Sequence, residues 1–492
     1  MTKVVIIGAG LSGLSAACHL AGRGYDVHIV EREDQPGGRN QRVVQDGFTF
    51  DTGATVMTLP NLLDSVLSQV DASVDELVPM RRLDPGYRSF FSDGSTIDTR
   101  ASVADMRAEI EAKSGSSDAA QFEPFVAWLK RLNDVEMPHF IDKNYNSVLS
   151  LFNPPGPGFK ILRLGGLKKL GSAISSFFDD DRLHRIFTFQ ALYAGMAPDD
   201  ALAIYAVISY MDSIQGVWHP TGGMGAVAEA MATVASNAGV RIDYGRTVTS
   251  IVTASDGRAT GVDMADGERI QADAVVSTLD LPTMYRYILP QVSVPRKLTH
   301  GTYSPSAVVW HIGVRGDLPA QAVHHNIHFG EQWGESFDAL TKQHKLMPDP
   351  SRLVSIQSVS EPSLAPDGCH TLYVLEPVPN NRSGIDWNAS EATFRDRLMT
   401  FLDENDYPTD VVTEKMYTPY DWARSGMAQG TPFAMSHILR QTGPWRPQNI
   451  DRRVGGLVFA GSGTIPGVGV PMVLISGKLA ADRVDEWVGR GK

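Results

Sequence analysis

The chain has 492 residues, of which 42% are hydrophobic and 20% charged, a composition typical of a globular protein with two or three domains. Its formal net charge of −12 argues against nucleic acid as a partner, because phosphate binding needs an excess of Lys and Arg. The two cysteines, Cys18 and Cys369, exclude a disulfide framework and a thiolate metal site, and they fit a reducing cytoplasm.

The first predicted element is a buried strand, Val4–Ile7, which is followed at once by a glycine-rich turn and a helix. In that turn Gly8 permits a tight bend, Gly10 lets the backbone approach a pyrophosphate, and Gly13 lets the helix pack closely on a sheet. A second strand ends at Glu31, where a carboxylate accepts hydrogen bonds from an adenosine ribose and disfavours a 2′-phosphate. This order predicts a Rossmann dinucleotide site at a helix N-terminus. The neighbouring residues assigned to the same site are Leu11, Ser12 and Arg32.

A second pair of glycines and an arginine follow the second strand by a few positions. Gly37 and Gly38 allow the backbone to approach a ligand closely, and Arg39 supplies a guanidinium that pairs with a pyrophosphate. This resembles the flavoprotein pattern that extends the Rossmann fingerprint with a second glycine pair and an arginine, and the resemblance favours FAD over NAD as the bound dinucleotide.

The rest of the chain alternates between helical and β-rich stretches. Residues 55–200 are predicted to form mainly helices with loops, and Val240–Val276 to form short strands separated by Asp-Gly turns. Short β-rich runs between residues 300 and 440 predict an antiparallel sheet. The chain then returns to a buried strand at Gly456–Ala460 and a helix at Met472–Val484.

Strands and helices of the same type at both ends predict a discontinuous domain. The predicted fold class is α/β, with a Rossmann-type FAD-binding domain formed by residues 1–85, 215–290 and 445–492. An α+β substrate-binding domain is inserted into it. The insert comprises a helical region that binds substrate and faces a membrane, residues 86–214, and a β-rich substrate domain, residues 291–444.

Three features that could indicate a membrane span or a metal site have another explanation. The apolar segment Val4–Gly22 carries the glycines of the nucleotide-binding turn, and Gly455–Gly477 contains two prolines and seven glycines. No transmembrane helix is therefore predicted. No metal is expected either, because His324, His325 and His328 lack an accompanying carboxylate motif and are predicted to lie in a surface loop.

Four stretches carry a family resemblance: Gly8–Arg39, Gly47–Thr55, Phe187–Gly195 continuing to Gly216–Met224, and Ala460–Leu474. They resemble the bacterial phytoene desaturases, which are amine-oxidase-like flavoproteins, and weaker similarity covers nearly the whole chain. The resemblance implies FAD, a carotenoid precursor as substrate, and hydride transfer from an allylic C–H to flavin N5. Ile465, Ala54 and Thr221 depart from common family residues, which leaves the particular carotenoid and the number of steps open.

The last stretch also has a physical explanation, because a helix that opens near Val470 or Pro471 would point its positive end at a flavin. The further residues assigned to cofactor binding are Gly53, Ala54, Thr55, Val248, Gly461, Gly463, Gly469, Val470 and Met472. The walls assigned to an apolar substrate tunnel are Phe187, Phe189, Leu192, Tyr193, Met196 and Trp218. No base is assigned, since Asp212, His219 and Glu229 are each expected to be structural.

The segment 159–170 mixes basic and large apolar side chains. This pattern fits a peripheral segment on an anionic bilayer, and it equally fits a solvated amphipathic helix packed on its own domain. The expected partners are therefore a hydrophobic polyene, a membrane surface, and oxygen or a quinone as electron acceptor. The expected location is the cytoplasm, with peripheral attachment to the cell membrane, and the oligomeric state stays open.

Three other functions remain open from the residues alone. One is a flavin oxidase of the same superfamily that acts on an amine or amino acid. The second is a polyene isomerase or saturase, which product mass would distinguish from a desaturase. The third is a non-catalytic flavin-bound carrier, in which no polyene would reduce the flavin.

Overall fold

A computed structural model of the chain describes residues 1–152 and 154–490. The strands in this part are β1 (Lys3–Ile7), β2 (Asp26–Val30), β3 (Arg42–Gln45), β4 (Phe48–Asp51), β5 (Met80–Arg82), β6 (Tyr87–Phe90), β7 (Thr96–Thr99), β8 (Trp218–Pro220), β9 (Arg241–Asp243), β10 (Val248–Thr253), β11 (Ala259–Met264), β12 (Arg269–Gln271), β13 (Ala274–Ser277), β14 (Ser306–Arg315), β15 (His325–His328), β16 (Arg352–Ser355), β17 (Cys369–Val378), β18 (Asp410–Tyr417) and β19 (Leu457–Phe459). The helices of eight or more residues are Leu11–Gly22, Pro60–Leu67, Val103–Ser114, Ser116–Glu136, Pro155–Arg163, Met224–Asn237, Trp333–Thr341, Glu391–Glu404 and Val470–Arg490.

A five-stranded parallel sheet with the order β19-β13-β1-β2-β9 forms one core of the molecule. Its strands come from the beginning, the middle and the end of the chain, as the predicted discontinuous Rossmann unit requires. The first and last helices pack together beside it, where the Ser15 hydroxyl donates to the Leu474 carbonyl (2.7 Å). A Cβ on Gly477 would lie 2.6 Å from the Ser12 carbonyl oxygen, so this close packing needs glycine.

A seven-stranded sheet with the order β18-β14-β17-β16-β15-β6-β7 forms a second core. All neighbouring pairs are antiparallel except β15 and β6. The antiparallel sheet predicted between residues 300 and 440 is confirmed. The prediction for residues 55–200 was incomplete, because β6 and β7 extend this sheet from within the stretch expected to be mainly helical.

The smaller sheets follow the predicted turns. β10, β11 and β12 form an antiparallel sheet whose connections fall at the Asp-Gly turns. β3 pairs with β4, and β5 pairs with β8. Among the described residues, no helix combines the length and the hydropathy that crossing a bilayer requires.

Of the histidines predicted to lie in a surface loop, His325 and His328 instead belong to β15 of the second sheet and His324 directly precedes it, so that prediction was wrong. His324 and His325 are buried, and His328 at the end of β15 is only partly exposed. The His325 ring nitrogens lie 3.1 Å from the Gly86 carbonyl oxygen and 3.2 Å from that of Thr55. Burial lowers the pKa of His325 to about 4, so this ring is neutral and joins the sheet to the segment that follows β4.

Candidate cofactor site and apolar cavity

One large cavity, of about 1470 Å³, connects the carboxyl ends of β1 and β2 with an extended apolar wall. The start of the last helix and side chains of the seven-stranded sheet, such as Leu353 and Leu375, also line it. Ligands of open parallel sheets bind at the carboxyl ends of the strands. The cavity is therefore placed where a dinucleotide would bind and is large enough to hold a hydrocarbon chain beside it.

Most residues predicted to bind the cofactor line this cavity. They are Gly8, Gly10, Leu11, Ser12, Glu31, Arg32, Gly37, Gly38, Arg39, Gly53, Ala54, Thr55, Val248, Gly461, Gly469, Val470 and Met472. Two predicted residues lie outside the lining. Gly13 packs beneath the turn, where a Cβ would approach the Gly8 carbonyl oxygen to 2.1 Å, and Gly463 lies against Leu281.

The turn after β1 has the geometry that a diphosphate requires. Gly8 has a φ of +102°, a conformation that favours glycine, and its N–H donates to the Val30 carbonyl (2.8 Å). The following helix starts at Leu11, and no side chain in the described part of the protein caps its N-terminus. Its first N–H groups and the positive end of its dipole are therefore free to bind an anion, which fits FAD at this position.

Glu31 is held at the end of β2 by two backbone groups. Its Oε2 accepts a hydrogen bond from the Ala9 N–H (2.6 Å), and its Oε1 accepts one from the Glu33 N–H (2.9 Å). The side chain is buried at the cavity wall. This carboxylate is therefore fixed in orientation at the point where the predicted adenosine ribose would lie.

Arg39 connects the N-terminal and C-terminal parts of the site. Its Nη1 donates to the Ser462 hydroxyl (2.6 Å) and to the Pro432 carbonyl (2.7 Å). Burial lowers the pKa of Arg39, and the nearby Asp280 carboxylate opposes this shift. Beside it, Gly37 and Gly38 both have positive φ, and the Gly37 N–H donates to the Ala9 carbonyl (2.9 Å).

The last helix begins at Val470, next to the cavity, with Pro471 in its first turn; the predicted opening of this helix is confirmed. The loop before it is held by Ser476, which accepts from the Gly461 N–H (3.0 Å) and donates to the Ile465 carbonyl (2.8 Å). Arg446 is fully buried behind this loop and donates to four carbonyl oxygens. Its acceptors are Thr464, Ser462, Met435 and Gln441. The backbone that would surround a flavin is thus fixed by side-chain hydrogen bonds.

The structure places two of the six predicted tunnel walls at this cavity. Leu192 and Tyr193 line the cavity, together with Val207, Ile208 and Met211 from the adjoining helical turns. Four other predicted walls lie outside its lining: Phe187, Phe189, Met196 and Trp218. Phe187 is instead buried in an aromatic cluster with Phe122, Phe125 and Phe178. Periodic aromatic residues in a sequence do not distinguish a core from a cavity wall.

Besides Glu31 and Asp280, two buried carboxyl groups line the cavity. Glu136 was not predicted from the sequence, and its Oε1 has no hydrogen-bond partner among the described residues. Burial raises the pKa of Glu136 well above its usual value. Asp212 was expected to be structural, yet it also lines the cavity, and burial raises its pKa to about 7.

The other two acidic or basic groups considered as bases are engaged elsewhere. The Nε2 of His219 lies 2.9 Å from Glu361 Oε2, and Glu229 is paired with Arg42 at 3.4 Å. Neither His219 nor Glu229 belongs to the cavity lining. Asp212 is thus the one of the three that the fold brings to the cavity.

Comparison with known proteins identifies the fold and its relatives. The family model for flavin-containing amine oxidoreductases matches residues 11–485. The chain is 45% identical over 487 residues to a phytoene dehydrogenase from Streptomyces griseus, covering 98% of this chain and 94% of that protein. It is 33% identical to a zeta-carotene-forming phytoene desaturase from Myxococcus xanthus, covering 99% and 94%.

A solved structure has the same fold at low sequence identity. The cyclohexylamine oxidase from Brevibacterium oxydans superimposes with a TM-score of 0.60 at 17% identity, covering 99% of this chain and 100% of that one. An amine-oxidase-like fold with a Rossmann-type core thus accommodates this sequence.

Proposed function

Since the chain belongs to the phytoene desaturase family of flavin-containing amine oxidoreductases, it is an FAD-dependent enzyme that acts on CH–CH groups, and we propose that it desaturates a phytoene-like carotenoid precursor. This proposal rests on one observation: a continuous cavity joins the glycine turns to a long apolar wall. FAD, when bound, would supply the two-electron oxidant for this chemistry.

The geometry above supports an assignment of the residues that would hold the cofactor. We assign the diphosphate to the turn Gly8–Ser12 and the adenosine ribose to Glu31. The segment Gly53–Thr55 and the loop that ends at Val470 would enclose the ring system. The positive end of the last helix, next to this loop, would favour the negative charge that a reduced flavin carries.

The substrate would be held by burial of hydrocarbon. A polyene has no polar handle, and each ~100 Å² of its surface removed from water contributes about 2.5 kcal/mol. Apolar side chains such as Ile208, Met211 and Leu353 supply the matching wall. We assign substrate binding to residues 86–214 and 291–444, and cofactor binding to residues 1–85, 215–290 and 445–492.

We further propose that the cavity opens onto a membrane surface. Phe159, Leu162 and Leu167 line the cavity and are nevertheless 70%, 56% and 50% exposed. Lys160 and Arg163 are exposed on the same helix, Pro155–Arg163. Apolar side chains flanked by basic ones are typical of a surface that lies on an anionic bilayer. This would let a hydrocarbon substrate pass from lipid to the cavity without crossing water.

Expression in a host that accumulates phytoene tests the proposal, with product mass as the measurement. We expect the host to accumulate a carotenoid that has lost two hydrogens for each step. An unchanged phytoene pool alongside folded, FAD-loaded protein would contradict the substrate assignment. A product of unchanged mass but altered geometry would favour an isomerase instead, and a gain of hydrogen would favour a saturase.

A further inference from the structure

We propose that Asp212 accepts the proton that the substrate loses during desaturation, through a chain of two hydroxyl groups, those of Tyr193 and Tyr87. This inference rests on the proposed desaturase function and assigns the base that the reaction needs. It begins from the geometry of a buried polar cluster in an otherwise apolar wall.

The cluster runs from the cavity into the protein. Tyr193 belongs to the cavity lining, and 37% of its surface is open. The rings of Tyr193 and Tyr87 both pack edge-on against Phe189, which brings their hydroxyl groups close enough to interact. The Tyr87 hydroxyl donates to Asp212 Oδ2 at 3.4 Å. Hydrogen bonds at catalytic sites are often long before the ligand binds and shorten in the complex. The three groups therefore form a path for a proton that starts at the substrate's side of the wall.

The carboxylate at the end of this path is held in one orientation. Its Oδ1 accepts hydrogen bonds from the Ser213 hydroxyl (2.7 Å) and from Gln190 Nε2 (3.2 Å). Gln190 is fixed in turn, because its Nε2 also donates to the Ile186 carbonyl (3.0 Å) and its Oε1 accepts from the Ser209 hydroxyl (3.1 Å). The other oxygen, Oδ2, is left to face Tyr87.

The path lies beside the segment assigned to the flavin. The Tyr87 ring packs against His325, with the ring centroids 5.4 Å apart. His325 lies within 3.2 Å of the Thr55 carbonyl oxygen, and Thr55 belongs to the predicted cofactor segment. One side chain thus separates the middle of the path from the backbone that would enclose the isoalloxazine ring.

The charge balance of the cluster suits proton exchange near neutral pH. The titratable groups that face it are Tyr87 from β6, Tyr193 from the turn Phe189–Ala194, Tyr373 from β17 and the neutral His325 from β15. In the part of the chain that the structure describes, no Lys or Arg pairs with Asp212, so burial dominates and raises its pKa to about 7. A base works best when its pKa lies close to the working pH.

Other polar groups of the cavity are less suited to this role. Burial raises the pKa of Glu136 well above its usual value with no opposing hydrogen bond, which favours the neutral acid over the carboxylate that a base requires. The Tyr205 hydroxyl donates to the His437 carbonyl and is engaged there. Asp280 also lines the cavity, but its carboxyl interacts with the Arg39 guanidinium and with the backbone N–H groups of Thr283 and Ala428. Asp212 is the group that combines an ionisable carboxylate with a hydroxyl path to the cavity.

The bond changes balance as follows. The substrate loses a hydride, with both electrons of one C–H bond, to the oxidised cofactor that the family's reaction uses, and an allylic cation is left. The adjacent C–H bond then breaks, its electron pair forms the second bond of the new alkene, and its proton moves to the Tyr193 oxygen. Tyr193 passes its own proton to Tyr87, and Tyr87 passes one to the Asp212 carboxylate. Both tyrosines end unchanged, and Asp212 becomes the neutral acid.

The first test is independent of turnover. Infrared spectra of the full-length, FAD-loaded protein would be recorded across the neutral pH range to follow the C=O band of a protonated carboxyl. We expect a band that titrates with a midpoint near pH 7, that disappears in Asp212→Asn, and that shifts to higher pH in Tyr87→Phe, because the lost hydroxyl stabilised the carboxylate. An infrared titration that is identical in the wild type and in Asp212→Asn would overturn the assignment.

The second test is the pH profile of single turnover with phytoene in vesicles. Tyr87→Phe should slow the reaction about 100-fold, because it interrupts proton transfer to the base. Asp212→Glu keeps a carboxylate, so its pH profile should resemble that of the wild type more closely than that of Asp212→Asn does. Tyr407→Phe is the matched control, because Tyr407 is also buried but its hydroxyl contacts His328, outside the cavity lining. FAD content and thermal unfolding would show that each variant is folded.

The outcomes separate this inference from the function it rests on. If the wild type is active, and Tyr87→Phe and Asp212→Asn react at the same rate and with the same pH dependence as it does, the proton path alone is overturned. A wild type that leaves phytoene unchanged would overturn the desaturase function, and the proton path with it.

Discussion

Replacing Phe159 by Ser should weaken binding to lipid vesicles by a factor that can be worked out from its exposure. Phe has a surface of roughly 200 Å², so an exposed fraction of 70% leaves about 140 Å² for lipid to cover. At about 25 cal/mol per Å², full coverage would contribute about 3.5 kcal/mol. If the bilayer covers half of that area, the loss is about 1.8 kcal/mol, or about twentyfold in partition.

Flotation of the FAD-loaded protein with vesicles that contain an anionic phospholipid measures this partition directly. Val44→Ser is the matched control, because Val44 is 68% exposed on the β3–β4 hairpin and does not line the cavity. Salt should weaken binding further, since the Lys160 and Arg163 charges are screened. If Phe159→Ser and Val44→Ser partition equally between vesicles and solution, the proposal that the cavity opens onto a membrane surface is refuted.

Three further predictions concern the buried groups of the site. The free energy of unfolding of the wild type should fall as pH rises, and Asp212→Asn should remove this fall. The pKa of Asp212 is about 7 in the folded protein and near 3.8 when unfolded. Ionisation of this carboxyl therefore lowers the free energy of unfolding by up to about 4 kcal/mol as pH rises between these values. Urea unfolding of both proteins at about pH 5 and about pH 8 measures this change. The same change in the free energy of unfolding in both proteins would contradict the burial of an ionisable carboxyl at position 212. Gly13→Ala should release FAD, because the new Cβ would lie 2.1 Å from the Gly8 carbonyl oxygen. Flavin absorbance after dialysis measures the release. The control Gly334→Ala should retain FAD, because nothing beyond the adjoining residues lies within 4 Å of the added Cβ. Arg39→Lys should raise the FAD dissociation constant about tenfold through loss of one charged hydrogen bond, and unchanged affinity by fluorescence titration would show that Arg39 does not support the site.

The dinucleotide turn was predictable because its chemistry is local. Strand, glycine turn and helix lie within about twenty residues, and each position has a steric reason that the sequence displays. The same holds for the last helix, where Pro471 marks the first turn.

The polar cluster behind the cavity was not predictable in the same way. Tyr87 and Asp212 are 125 positions apart in the chain and come together only in the folded protein. His325 was assigned to a surface loop because no carboxylate or ligand motif accompanies it, whereas its burial in an interior strand is a tertiary effect. Phe187 was assigned to the tunnel wall, yet packing placed it in an aromatic core.

Anaerobic mixing of the FAD-loaded protein with phytoene in vesicles tests the central claim most directly, with flavin absorbance and product mass recorded together. We expect the oxidised flavin bands to bleach in one turnover and the product to have lost two hydrogens. Flavin that stays oxidised with phytoene, while an amine bleaches it, would contradict the proposal that this protein is a carotenoid desaturase.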